Sequence, residues 1–360
     1  MPETLLQDVS PYRTRRASLV RGDDDTYLYL EDITGASPRT ISAVWVGNGT
    51  PAPTRSEVST ERGAPARMLA RGTRHPDGCP ALTAPRIVWF EEGDGMALVD
   101  GDETIAVVPG WAGTDGFYGY SRWAVGRSPL AWELEGEAAA MFAEKVARSA
   151  SYWNWRLAPA ARAWDEIRSD GLEHLTRRLG PAENVQEVSG RFPELVVSRH
   201  RAGTTDVWVT ATTGLSGARM AGVERHVDDP SPVSRVELAL ARDRPDAPGA
   251  ELLAALAGIP FGRCTWFGDG HTIGGSPGAF PDLGPDCVAV LLTTTPPGHP
   301  PDLSGVERRG DPVRYLWVVG LDAAGFRISR ARGAATTIAR LADSGRTWVQ
   351  RTVSPPVERF

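Results

Sequence analysis

"CVAVLL", Cys287–Leu292, and "YLWVVGL", Tyr315–Leu321, are uninterrupted apolar runs of strand length. A strand with one wet face alternates apolar and polar residues, so unbroken apolarity means that both faces are covered, and helices usually supply the cover. Shorter β-prone runs surround them: "ELVVS" from 194, "DVWVTATT" from 206 and "RVELALAR" from 235. In "DVWVTATT" Val207, Val209 and Ala211 fall on one face and are expected to meet the core, with Trp208, Thr210 and Thr212 on the other. "ELLAALAGI" from 251 reads as a helix. So does "AATTIARLADSG" from 334, with Ala335, Ile338 and Leu341/Ala342 on one face and a stop at Gly345.

Upstream the pattern changes. Residues 17–134 hold short β-prone runs broken by glycine, proline and aspartate, with "EGDG" and "VDGDE" placed as hairpin turns. From 135 to 180 the spacing is helical: Phe142, Val146, Ser149 and Trp153 share a face, and Glu144 and Arg148 are set for an i,i+4 ion pair. Trp164 and Ile167, a break at Gly171, then Leu172, Leu175 and Leu179 lead to Gly180 as C-terminal cap. The fold class expected is α+β, in four parts: a β-rich domain over 1–134, a helical connector over 135–165, a mixed α/β domain over 166–354 and an irregular tail over 355–360.

The chain has 360 residues and a formal net charge of −6. That charge argues against binding nucleic acid through phosphates and points to a basic protein surface as the electrostatic match. Lys145 is the only lysine, so Schiff-base chemistry would have to use it. Cys79, Cys264 and Cys287 are odd in number and widely spaced, which fits neither a disulfide framework nor a zinc knuckle. The opening "MPETLLQDVSPYRTRR" lacks an apolar core, and no apolar run is long enough to span a bilayer; a cytoplasmic location is expected.

Several motifs tempt a catalytic reading. "GGSPG", Gly274–Gly278, spells G-x-S-x-G, but Pro277 has no N–H to give an oxyanion hole, and prolines and glycines follow where a helix should start. Cys264, Asp269 and His271 are possible zinc ligands without the spacing of a complete site. Asp23–Asp25 lacks the ligand pattern of a calcium loop. Glu91, Glu92 and Asp94 are read as a solvated turn, and His75, His174, His200 and His226 as surface residues. No catalytic residue, cofactor or metal site is assigned, and an enzyme is not expected.

The ordered set "RFPELVVSRHRAGTTDVWVTATTGLS", "RVELALAR", "GHTIGGS", "VAVLL", "PVRYLWVVGL" and "RGAATTIARLADSG" resembles the Suppressor of fused domain over about 166–346. The resemblance implies a protein-binding role, and for bacterial members immunity against a cognate polymorphic toxin. For the animal relative it implies capture of an extended segment by strand addition. Asp228 in "DDPS" lies where the relative uses an acidic residue, and Arg219 where it has an aromatic one. These two are the candidate partner-binding residues. "GHTIGGSPG" is expected to be a turn-forming connection. The function expected is a cytoplasmic immunity protein. The alternatives are a regulatory scaffold that sequesters a host segment and a hydrolase using Ser276 or the Glu91/Glu92/Asp94 cluster.

Overall fold

A computed structural model describes residues 2–54, 66–158, 162–203, 205–245 and 249–351; the tail expected over 355–360 lies outside them. The architecture is mixed α+β. The chain divides into two compact units, one of Met1–Ala161 with Glu224–Asp228 and Phe261–Cys264, the other of Arg162–Val223, Asp229–Pro260 and Thr265–Phe360.

In the first unit β1 (Glu3–Val9), β2 (Arg15–Arg21), β3 (Asp25–Asp32) and β4 (Arg39–Asn48) form an antiparallel meander. A second sheet runs β5 (Pro85–Trp89), β6 (Met96–Asp100), β7 (Glu103–Val108), β8 (Tyr120–Ser121) and β9 (Trp132–Glu133). Leu19, Leu28, Val44 and Trp45 of the first sheet pack with Met96, Leu98, Ile105 and Val108 of the second. Each such side chain contributes roughly 1.5–3 kcal/mol on leaving water. The other face of the second sheet, with Val88, Ala97, Val99 and Val107, is covered by α1 (Gly136–Leu157) through Phe142. The hairpins fall where the Asp-Gly pairs predict them. In the first, Gly93 has φ 73°, and a Cβ there would stand 2.2 Å from the Tyr12 ring, so both backbone and space demand glycine.

The buried face of α1 differs from the apolar stripe read in the sequence. It carries Phe142, Lys145, Ser149, Tyr152 and Arg156. Trp153 is half-buried at the sheet, donating from its indole N–H to the Trp89 carbonyl at 2.9 Å. Arg148 does not pair with Glu144 but reaches Glu92, 3.4 Å away on the β5–β6 turn. Glu91 and Glu92 are themselves buried, against the expectation of a solvated turn. Helical periodicity reports which face turns inward, but not whether that face meets apolar side chains or acids.

The second unit is built on an eight-stranded sheet. Its path is β10 (Ala182–Val188), β11 (Leu195–Arg201), β12 (Trp208–Thr213), β13 (Val236–Arg242), β18 (Arg314–Leu321), β15 (Ala289–Thr293) and β14 (Thr272–Gly274), with β19 (Val349–Gln350) also on β13. The β13–β18 and β13–β19 pairs are parallel and the others antiparallel. A small ladder joins β16 (Glu307–Arg308) to β17 (Asp311–Pro312). The two runs that open the sequence reading are β15 and β18, interior strands with almost every residue buried.

Helix α2 (Ala163–Leu179) sets Leu175 and Leu179 on the face that carries Val209, Ala211, Tyr315 and Trp317. Further along that face α5 (Ala323–Asp343) covers Ala289, Leu291, Val319 and Leu321. Helix α3 (Ala250–Ala257) begins on the opposite face, near Thr210 and Leu240. The short α4 (Ile259–Arg263) follows it. Because both faces are covered, Thr210 and Thr212 are buried as well as Val209 and Ala211.

Three further expectations are corrected. Helix α2 runs through Gly171 without a break: a Cβ there would meet the Thr213 methyl at 2.4 Å, so this glycine permits close approach of helix and strand. Helix α5 starts eleven residues before the stretch read as helical and kinks at Gly333 (φ 82°); Thr337 and Leu341 are its buried residues there, while Ala335 is exposed. His174 and His200 are buried rather than superficial. Their rings bond the carbonyls of Leu303 (2.9 Å) and Gly180 (2.8 Å), and burial pushes both imidazoles below their ordinary pKa.

Candidate protein-docking surface of the second unit

Two buried charge clusters brace the sheet of the second unit. Glu237 stands inside the apolar run of β13, where an unpaired carboxylate would be very costly. It accepts from the Thr212 hydroxyl (2.6 Å), the Gly214 and Ser216 N–H groups (2.9 and 3.0 Å) and the Ser216 hydroxyl (2.6 Å). The Gly-Leu-Ser turn is thus tied to the sheet by one acid. Gly214 has φ 122°, and a Cβ on it would fall 2.3 Å from the Glu194 carbonyl oxygen.

Beside it, Asp311 is shared by two guanidinium groups. Arg219 approaches with Nε at 2.7 Å and Nη2 at 2.5 Å, and Arg235 with Nε at 2.8 Å. Arg235 also donates to the Ser216 carbonyl and Arg219 to the Ser231 hydroxyl, joining the cluster to the neighbouring turns. Burial alone would raise the Asp311 pKa; the hydrogen bonds from Arg219 and Arg235 outweigh it and hold the carboxyl below its usual range.

Arg219 is therefore engaged within the fold, and only 6% of it is exposed. Asp228 is exposed, in the Glu224–Asp228 segment that belongs to the first unit. Sequence reasoning missed Asp311, Arg235 and Glu237. The signal available for Glu237 was a lone acid within an otherwise apolar strand.

The "GHTIGGSPG" segment is more than a turn. Thr272–Gly274 is β14, the terminal strand of the sheet, paired with Leu291, Val290 and Ala289 of β15. The Leu292 N–H donates to the His271 carbonyl and the Gly275 N–H to the Val288 carbonyl, both at 2.8 Å. Alternation then turns the backbone groups of Thr272 and Gly274 away from β15. Next to this edge is a cavity of about 460 Å³ whose lining includes Ile259, Trp266, Phe267, His271, Ile273 and Arg330. The Trp266 and His271 rings meet edge to face with centroids 4.5 Å apart, and the His271 Nδ1 accepts from the Gly268 N–H at 3.1 Å.

Ser276 is exposed on the turn beyond, followed only by the single helical turn Pro281–Leu283. Cys264 belongs to the first unit, its thiol 3.1 Å from the Thr14 hydroxyl and its pKa pushed up by burial. Asp269 caps the Thr294 N–H at 2.8 Å. Among the described residues no group of three or more His, Cys, Asp or Glu is placed to hold a metal.

The first unit has a buried cluster of its own. The Lys145 ammonium lies 2.5 Å from Glu224, 3.7 Å from Glu92 and 4.8 Å from the centre of the Phe90 ring. Burial opposes its charge, yet Glu92 and Glu224 hold its pKa above the ordinary lysine value. The lysine that a Schiff base would need is thus engaged as an ion-pair partner.

The sheet of the second unit thus ends in an edge strand with outward backbone beside a groove, the geometry to which a further strand can be added. Residues 193–351 match the family model described as Suppressor of fused protein (SUFU), and this part of the chain is a Suppressor of fused domain. Among curated proteins none is significantly similar to the chain. Among solved structures, a SUFU (suppressor of fused protein) homolog from Neisseria gonorrhoeae FA 1090 aligns at 14% identity with a TM-score of 0.38, covering 54% of this chain and 100% of the homolog. Among the described residues no helix is long and apolar enough to cross a membrane.

Proposed function

We propose that this chain is a non-enzymatic protein-binding protein of the bacterial cytoplasm, an immunity protein that neutralises a cognate toxin. The observation that carries the reading is the Suppressor of fused domain over 193–351. Its support is the use made of the charged side chains: Arg219, Arg235, Asp311 and Glu237 are engaged in bracing the sheet. The net charge of −6 would steer the chain toward a basic toxin surface and speed association more than it tightens binding. Asp228, exposed, is the partner-binding residue this reading retains. Co-expression with the product of the adjacent gene is the test. That product should arrest growth alone and lose its toxicity in the presence of this chain; undiminished toxicity rejects the immunity role.

A second reading, a regulatory scaffold that sequesters an extended host segment, is favoured by the two terminal strands of the sheet, β10 and β14, each paired on one side only. It predicts recovery of a host protein with an unstructured segment, and weaker recovery by Asp228→Arg. A partner that binds only through a folded surface removes this reading.

A further inference from the structure

Helix α5 runs against the charge of the whole chain. Within Ala323–Asp343 it holds Arg327, Arg330, Arg332 and Arg340 against one acid, Asp343, in a protein of net charge −6. All four arginines are exposed, and none makes an ion pair among the described residues. Elsewhere in this unit Arg219 and Arg235 are matched to Asp311, and Arg308 to Asp170. Arg330 lines the groove beside β14, whose floor includes the buried Phe267 and the half-buried Ile259 and Ile273. Net charge governs long-range approach, but a groove reads the charge at its own rim.

We propose that the groove beside β14 takes an extended acidic segment of a partner protein. The segment pairs with the outward backbone of Thr272 and Gly274 and sets a carboxylate on Arg330. Three features converge on that occupant. The edge offers a donor and an acceptor at Thr272 in the spacing of a further strand. Ile259 and Ile273, with Trp266 against His271, give apolar contact for alternate side chains in a lining that also holds Thr265, Thr272, Ser329 and Arg330. Arg330, the arginine of α5 that lines the groove, favours an acid in between and disfavours a basic strand, for which like charges would meet at close range. The inference deepens the protein-binding reading above, and rests on it, by naming a face and a partner chemistry.

The probes are two synthetic peptides, alternating Glu-Val and alternating Lys-Val hexamers, titrated into the full chain by fluorescence anisotropy with amide shifts read by NMR. The Glu-Val peptide should bind at least tenfold tighter than Lys-Val and shift the amides of Thr272–Gly274. Arg330→Glu should reverse or abolish that preference. Thr272→Pro, which removes an outward N–H at the first residue of an edge strand without breaking a β14–β15 hydrogen bond, should abolish binding while the far-ultraviolet dichroism stays unchanged. Equal affinity for the two peptides, or a preference that survives Arg330→Glu, overturns the proposal. Protection in the co-expression assay separates the two claims. If the wild-type chain and both variants protect equally, the groove is wrong and the immunity reading stands. If the wild-type chain gives no protection while the peptide preference and its loss in the variants are observed, the groove stands and the immunity reading falls.

Discussion

The two units bury mirror-image charge clusters. In the first, one cation, Lys145, is shared by two carboxylates, Glu92 and Glu224. In the second, one carboxylate, Asp311, is shared by two guanidinium groups, Arg219 and Arg235. The difference lies in what each cluster fastens. Lys145 sits on the inward face of a helix laid over a sheet, so its cluster works as a layer contact. Asp311 joins the ends of strands to the turns around Ser216 and Ser231, so its cluster fixes loop geometry on a surface that must hold its shape. A planar fork suits that second task, because each guanidinium fixes an angle as well as a distance; an ammonium is a point charge that tolerates either carboxylate.

Removing the central charge breaks the comparison most directly. Asp311→Ala leaves two buried guanidinium groups without their shared acid and should cost about 3–5 kcal/mol, read as a lower denaturant midpoint with hydrogen exchange rising in β13 and β18. Lys145→Met should cost less, about 2–4 kcal/mol, because Arg148 still pairs with Glu92 and the Glu224 side chain is 23% exposed. Equal costs at the two sites would show that exposure of the partners does not matter here. Arg219→Lys keeps the charge but loses the fork, and should cost about 1–2 kcal/mol; no loss would reduce the cluster to simple charge balance.

Acid titration sharpens the contrast. Asp311, His174 and His200 have depressed pKa values in the folded state, so their contribution is present above their unfolded values and lost as pH falls. The second unit should begin to lose stability below about pH 6.5, with the Asp311 share following below about pH 4. In the first unit Asp25 has the opposite sign: burial, and then the charge of Asp24, raise its carboxyl to about 6. Its contribution is full below its unfolded value and is lost as pH rises to about 6. Asp25→Asn should therefore stabilise the first unit at pH 7, by about 1–2 kcal/mol, and flatten that slope. Thermal unfolding from pH 4 to 8, with exchange resolved by residue, checks both signs. The smallest effect expected is at the exposed turn, where Ser276→Ala should shift stability by less than about 0.5 kcal/mol and leave partner protection unchanged.

How legible the fold was depended on the kind of signal. Apolar runs gave β15 and β18 as interior strands, because burial on two faces leaves no room for polar alternation. Turn chemistry placed the hairpin at Gly93, and Gly180 capped α2. Charged residues misled wherever their partners were distant in sequence. Glu92 and Lys145 are 53 positions apart, and Arg219 and Asp311 are 92 apart, so local pattern cannot show that each buries the other. The Thr272–Gly274 strand was missed because glycine-rich, three-residue edges carry the signature of a turn.

By itself the sequence determined the covered strands, the helices and the order of motifs that marks a Suppressor of fused domain, since each is written in residues close together along the chain. Tertiary structure alone decided which acids are buried, which strand ends the sheet, and that Arg330 of α5 lines the groove beside that edge. Those outcomes depend on pairing across long separations, where the cost of an unmatched buried charge, rather than any local preference, selects the arrangement.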